Sequence, residues 1–187
     1  IARAEDVALL YDLNFSSNEV SLNKWSRLEV FVTNKGGKDI EGTLTVSAGG
    51  QYRQEVFVET GKSVSAVFYL PPVNMGLGLN NASIVLSDSR GREVQRLRFG
   101  VSEQKITTDY AGVLGGSVKG LNEFANTLPN ARVVSLGPEH LDHSLFAENF
   151  SIIVINDPQT VMLNSQQQEN LRLWVEQGGV LILGGGS

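Results

Sequence analysis

The hydrophobic pattern of this chain changes its period near residue 105, and that change is the strongest constraint on its fold. Before residue 105, apolar and polar residues alternate in short runs, which is the pattern of strands with one buried face. After it, nearly continuous Val, Ile and Leu runs alternate with stretches of helical period, as in a parallel sheet covered by helices. The sequence therefore predicts two domains, an all-β sandwich over residues 5–103 and an α/β domain over residues 109–187.

The first domain reads as about seven short strands, the number of an immunoglobulin-like sandwich. Turns rich in Gly, Asn and Asp separate these strands, because such residues accept the positive φ that tight turns need. The predicted inward-facing sets are Leu28, Val30 and Val32; Leu44 and Val46; Val64, Ala66, Phe68 and Leu70; Ile84 and Leu86; and Leu97, Phe99 and Val101.

The second domain reads as four buried strands with two helices between them. Ser117 is predicted to cap a first helix that runs to about Thr127. Ser165 and Gln168 match a capping box for the second helix. Gly178 and Gly179 are predicted to end this helix. The predicted apolar stripe of this second helix consists of Leu171, Trp174 and Val175.

Two stretches resemble known families. Residues 26–50, SRLEVFVTNKGGKDIEGTLTVSAGG, resemble the second and third strands of bacterial immunoglobulin-like domains of the cell-adhesion-related type. Residues 150–186, FSIIVINDPQTVMLNSQQQENLRLWVEQGGVLILGGG, resemble the class I glutamine amidotransferase-like, flavodoxin-type fold. The second resemblance implies a three-layer α/β domain of which four strands are present. It also implies a larger, membrane-anchored bacterial surface protein, so we expect the natural chain to continue past Ser187.

Charge and composition exclude several functions. The net charge is -5 and the 15 Lys and Arg residues are scattered, which disfavours binding to nucleic acid. The absence of Cys removes thiolate chemistry from these residues, and no cofactor is expected. No apolar run is long enough to cross a bilayer, so a membrane tether would lie outside these residues. Ala2 and Ala4 around Arg3 match the end of a removed signal peptide, which predicts an extracytoplasmic location.

The amidotransferase resemblance carries no catalytic residue onto this chain. Catalytic relatives place a nucleophile, usually Cys, on the turn that here reads Gly184, Gly185 and Gly186. Ser187 is the one nucleophile candidate, since a G-x-S-x-G elbow places Ser after a glycine. Asp157 is a second candidate, at the carboxyl end of the third strand, although an Asp that starts a local turn is the favoured interpretation.

Two further clusters are candidate ligand sites, each with a structural alternative. Gly115, Gly116 and Ser117 could present backbone N–H groups to an anion, although a tight turn with a serine cap explains them better. His140 and His143 lie beside carboxylates in the stretch EHLDH, which could hold a divalent metal. No distant third ligand is evident, so polar loop residues are the favoured interpretation and no metal is expected.

Aromatic residues of the sandwich are candidates for binding a carbohydrate or a protein. Trp25, Tyr52, Phe57 and Tyr69 would have to form an exposed patch, whereas aromatics on alternating strands usually fill the core. The irregular stretch over residues 71–81 is the first place where a contact is expected.

These observations leave three hypotheses. The first is a non-enzymatic extracytoplasmic scaffold or interaction module of a bacterial cell-envelope protein, with an envelope protein or glycan as partner. The second is an amidotransferase-like hydrolase with catalytic residues beyond Ser187, in which Asp157 and residues 115–117 line the site. The third is a carbohydrate-binding or adhesion role of the sandwich alone.

Overall fold

The alternation of the first hundred residues produces two antiparallel sheets. The computed structural model describes residues 4–15, 19–20, 24–72, 82–100, 102–103, 109–115, 131–155 and 162–184. It divides the chain into two units, Ile1–Glu103 and Gln104–Ser187. The strands of the first unit are β1 (Val7–Leu13), β2 (Glu19–Val20), β3 (Ser26–Asn34), β4 (Ile40–Ser47), β5 (Gln51–Val58), β6 (Ser63–Leu70), β7 (Ala82–Asp88), β8 (Glu93–Phe99) and β9 (Ser102–Glu103).

Seven of these strands form an immunoglobulin-like sandwich. One sheet has the order β1-β3-β6 and the other has the order β5-β4-β7-β8, with antiparallel pairing throughout. The two-residue strands β2 and β9 pair with each other in parallel. A short 3-10 turn, Ala4–Asp6, precedes β1. The predicted sandwich is therefore confirmed at the level of its two sheets.

The core of the sandwich includes most of the predicted inward-facing residues, together with residues of β1 and β5 that were not predicted. Leu28, Val30 and Val32 of β3 are fully buried, as are Leu44 and Val46 of β4. Val64 and Leu97 are only partly buried, and both still pack against the core. Val101 lies outside the described residues. Because side chains alternate along a strand, the residues between these positions point away from the core.

The buried side chain of Asn34 stabilises the turn that follows β3, in the stretch from Thr33 to Gly36. Its Nδ2 donates to the carbonyl oxygens of Lys38 at 2.9 Å and Val58 at 3.0 Å. Its Oδ1 accepts a hydrogen bond of 3.0 Å from the backbone N–H of Gly36. One amide therefore holds the turn between β3 and β4 and fastens it to the end of β5.

Gly42 brings two strands of the second sheet close together. A Cβ at this position would overlap the backbone carbonyl oxygen of Ser87 on β7. Glycine inside a strand often marks such a close approach between backbones.

The second unit contains one parallel sheet with helical segments. Its described elements are β10 (Asp109–Leu114), β11 (Ala131–Leu136), α1 (Ser144–Ala147), β12 (Phe150–Ile155), α2 (Ser165–Glu176) and β13 (Val180–Leu183). The strand order is β11-β10-β12-β13, so the strands lie in the order second, first, third, fourth of this unit. A 3-10 turn, Pro138–Leu141, follows β11. The predicted helix from Ser117 lies outside the described residues.

The cap of α2 lies one residue earlier than predicted. Asn164, not Ser165, is the N-cap, and its Oδ1 accepts from the backbone N–H of Gln167 at 2.8 Å. The Gln167 side chain accepts from the backbone N–H of Asn164 at 2.9 Å, so Gln167 replaces Gln168 in the capping box. Asn and Ser cap helices about equally well, and so the spacing alone could not separate the two frames.

Two burial predictions for this unit are wrong. Val175 is 39% exposed, and the buried side of α2 consists of Gln167, Asn170, Leu171 and Trp174. The strand β13 was expected to be covered on both faces, yet Val180 is 49% and Leu183 60% exposed. The reason is position, because β13 forms one edge of the sheet and pairs only with β12 among the described strands.

Candidate functional site

The outward face of the four-stranded sheet carries an open groove of about 650 Å³. Thr43 and Thr45 of β4 point outward because their neighbours Leu44 and Val46 fill the core. We call this feature the outer-face groove. Its principal side chains are Glu41, Thr43, Thr45, Arg53, Glu55 and Phe57.

Strand register sets the order of these groups. Phe57 of β5 lies opposite Glu41 of β4, Glu55 lies opposite Thr43, and Arg53 lies opposite Thr45. The three β5 residues are successive outward positions, since Val56 and Val58 between and after them are buried. The groove thus has an aromatic end, an acidic middle and a basic end.

Phe57 is the apolar group of the groove. Its side chain is 56% exposed. Single exposed apolar residues are common on proteins, so exposure alone means little. Here the ring lies in a concave surface among mostly polar and charged side chains, so it is the apolar contact point of an otherwise polar groove.

The charged side chains of the groove differ in whether they form ion pairs. Asp88, at its rim, accepts hydrogen bonds from Arg92 Nε at 2.9 Å and Nη2 at 2.7 Å and from the backbone N–H groups of Arg90 and Arg92. These bonds hold the pKa of the Asp88 carboxyl below its usual range. No ion pair between described residues uses Glu41, Arg53 or Glu55. Those three charged groups therefore face the groove without a charged partner in the described part of the chain.

The four candidate aromatics do not form one patch. Phe57 lines the groove, whereas Tyr52 packs against the core of the sandwich, and burial raises its pKa. Tyr69 is half-buried on β6, in the other sheet, and Trp25 is half-buried just before β3. Of the stretch 71–81, residues 73–81 lie outside the described residues.

The groove residues other than Phe57 were not identified as a site from the sequence. The sequence did indicate that Thr43 and Thr45 face outward, because they alternate with apolar residues. What the sequence lacked was the pairing of β4 with β5, which aligns Glu41, Arg53 and Glu55 on one face.

Most candidate residues of the α/β unit cannot be placed. Gly116, Ser117, Asp157 and Ser187 lie outside the described residues, and their proposed roles stay predictions. Gly115 is described; it follows β10, is exposed and has a φ of 71°. That positive φ favours glycine, which agrees with a tight turn after the strand.

The two histidines lie between β11 and α1, His140 in the 3-10 turn Pro138–Leu141 and His143 at the N-cap of α1. His140 Nδ1 accepts a hydrogen bond of 3.0 Å from the backbone N–H of Gly137, which engages that ring nitrogen in the local turn. Glu139 Oε1 lies 3.4 Å from the same nitrogen. Within the described ranges, no three His, Asp or Glu side chains are grouped as metal ligands would be.

We expect His143 to make the α/β unit less stable in acid. Burial lowers its pKa from the ordinary value near 6.5, so the folded unit favours the neutral imidazole. Its contribution to stability is full above about pH 6.5 and falls as the pH drops below that value, because the unfolded chain binds the proton more readily. We expect a His143→Gln variant to lose part of the stability difference between pH 7.5 and pH 5.5.

Amide hydrogen exchange of β12, corrected for the intrinsic effect of pH on exchange, measures this difference. A variant with the same pH dependence as the parent chain would show that His143 does not carry it.

The fold defines a two-unit protein that is mostly β, with an immunoglobulin-like antiparallel sandwich followed by a unit built on a parallel sheet. No described helix combines the length and the apolar character needed to span a bilayer. No protein-family model matches the sequence, and no curated protein matches it.

Solved structures resemble part of the chain. A CARDB domain from Pyrococcus furiosus, solved in complex with di-metal ions, is 20% identical, covers 52% of this chain and 92% of its own, and gives a TM-score of 0.41. A sporulation control protein from Bacillus subtilis is 9% identical, with 55% and 51% covered and a TM-score of 0.38. A β-glucosidase from Listeria innocua, in complex with isofagomine, is 12% identical, with 54% and 17% covered and a TM-score of 0.33. Likenesses this distant assign neither a family nor a ligand.

Proposed function

We propose that this protein is a non-enzymatic interaction module of a bacterial cell-envelope protein, in which the outer-face groove of the sandwich contacts a partner. The observation that carries the proposal is the exposed Phe57 ring beside Glu41, Glu55 and Arg53, none of which has an ion-pair partner among described residues. Aromatic and arginine side chains are the groups that most often contribute binding energy at interfaces.

We further propose that the α/β unit is a flavodoxin-like domain of the glutamine amidotransferase-like class that serves as a scaffold. The parallel strand order, with the second strand beside the first and the third and fourth on its other side, supports this class. The apolar, exposed edge of β13 also supports it, because parallel sheets are normally covered and such an edge suits a further strand. The glycines at 184–186, in place of a nucleophile, support a scaffold role.

An extracytoplasmic location, with a tether in segments outside these residues, remains part of the proposal. Its support is the small-x-small pattern of Ala2, Arg3 and Ala4, followed by the acidic Glu5 and Asp6, which resembles a signal-peptidase site.

A Phe57→Ser variant tests the groove. We expect the purified chain to bind at least one class of ligand on arrays of immobilised glycans and extended peptides, and the variant to bind at least about tenfold more weakly, since an aromatic anchor is lost. Leu10→Ser is the matched control, because Leu10 is 65% exposed on the other sheet of the same sandwich. Equal binding by both variants, or no binding to either array, would contradict the proposal.

A further inference from the structure

We propose that the ligand of the outer-face groove is a neutral, linear oligosaccharide. This inference rests on the proposed interaction role of the groove and adds the chemical class of the ligand. Three properties of the groove carry it: its length, its mixture of hydrogen-bonding groups and its balance of charge.

The length of the groove suits a chain of sugar rings. Arg53 and Phe57 are four residues apart on one face of β5, which corresponds to roughly 14 Å along the strand. The floor between them consists of Thr43 and Thr45, whose short side chains leave the sheet surface accessible. The cavity volume of about 650 Å³ lies within the range of small-molecule sites.

The hydrogen-bonding groups suit hydroxyls. A sugar hydroxyl both donates and accepts, so it can donate to the Glu41 and Glu55 carboxylates and accept from the Arg53 guanidinium. Hydrogen bonds to charged groups are also stronger than those between neutral groups. The threonine hydroxyls can take either role. A peptide in extended form would offer mainly backbone groups, which could pair with the edge of β5 that is unpaired among the described strands but not with the outward face that carries the groove side chains.

Phe57 supplies the apolar part of the contact. A sugar ring carries C–H groups on its faces and hydroxyls around its rim. The flat face of an exposed aromatic ring can cover the C–H groups while the rim reaches the polar side chains. The pairing of Phe57 with Glu41 across the two strands places a stacking group directly beside an acceptor.

The charge balance favours a neutral ligand. Glu41 and Glu55 outnumber Arg53, and Asp88 is already engaged by Arg92, so the groove offers an anionic saccharide no net attraction. Opposite charges also alternate along β5, with Arg53 only two residues from Glu55. An arrangement with both signs so close gives little net attraction for a cationic peptide at exposed positions.

Calorimetric titration of the whole chain tests the ligand class with three kinds of probe. The neutral probes are hexasaccharides of α-1,4-, β-1,3- and β-1,4-linked glucose and of N-acetylglucosamine; the others are a galacturonate hexamer and a lysine-containing decapeptide. We expect at least one neutral hexasaccharide to bind, with a Kd that changes less than about twofold between 50 and 500 mM NaCl, since no ion pair forms. The acidic hexamer and the peptide should bind at least about tenfold more weakly.

Three variants test whether the saccharide binds in the outer-face groove. Phe57→Ser should weaken binding at least about tenfold, Glu55→Gln about two- to fivefold because an amide is a weaker acceptor, and Leu10→Ser should leave it unchanged. Thermal unfolding of each variant excludes loss of the fold.

Other outcomes separate this inference from the proposed function. If the decapeptide or the acidic hexamer binds best and Phe57→Ser abolishes that binding, the groove remains an interaction site but the ligand class is wrong. If a neutral hexasaccharide binds equally to the parent chain and Phe57→Ser, the groove is not its site. If no probe binds, the saccharide assignment is wrong; peptide-array binding lost in Phe57→Ser would still support the interaction role.

Discussion

Trp174→Ala is expected to lower the free energy of unfolding of the α/β unit by about 3–5 kcal/mol, the usual cost of removing a large aromatic from a core. The Trp174 side chain is 3% exposed, and its Nε1 donates a hydrogen bond of 3.0 Å to the carbonyl oxygen of Phe150. Its ring also lies over Gly179, where a Cβ would overlap it. The substitution therefore leaves a cavity and removes the hydrogen bond between α2 and β12.

Val175→Ala is the matched control for this prediction. Val175 follows Trp174 on the same helix but is 39% exposed, so its truncation should cost less than about 1 kcal/mol. Hydrogen exchange of the slowest amides in β10 and β12 measures both free energies. Equal losses in the two variants would show that Val175, as the sequence pattern predicted, belongs to the core.

Asn34→Ala is expected to destabilise the sandwich by roughly 2–4 kcal/mol, because it leaves the buried carbonyl of Val58 and that of Lys38 without their donor. Asn34→Asp should cost at least as much, although the two side chains have the same shape. A carboxylate has no N–H group to donate and would place negative charge beside those two carbonyl oxygens.

Lys35→Ala serves as the control for Asn34, because Lys35 is the next residue and its side chain is exposed. Its truncation should change stability by less than about 0.5 kcal/mol. Urea unfolding followed by hydrogen exchange in β3 and β4 gives the free energies. If Asn34→Asp were as stable as the parent chain, the two donated hydrogen bonds would not be what holds this turn.

The sandwich was predictable because each strand has one buried face. Leu28, Val30 and Val32 recur at every second position of β3, and this period of two does not depend on which strands β3 pairs with. The pairing itself was not predictable. Glu41 and Phe57 become neighbours only because β4 and β5 form a hairpin in a particular register.

The α/β unit was less predictable for a related reason. In a parallel sheet, apolar runs mark strands without saying which of them lies at the edge. The apolar run of β13 predicted that Val180 and Leu183 are as buried as the residues of β12. In the structure β13 lies at the edge of the described sheet, and both residues are exposed. Likewise, the helical period predicted that Val175 belongs to the buried stripe of α2. In the structure Val175 is exposed, and Asn170 is buried on that helix instead.

The sequence by itself determined the two-part architecture, the antiparallel character of the first part and the inward positions of its strands. These follow from local periodicity, which depends only on neighbours along the chain. Tertiary structure alone decided which polar side chains share the outer-face groove and which apolar ones remain at a sheet edge. Both depend on how strands pair, β4 with β5 across a hairpin and β12 with β13 across a helix, and the periodicity of a single strand carries no information about its neighbours.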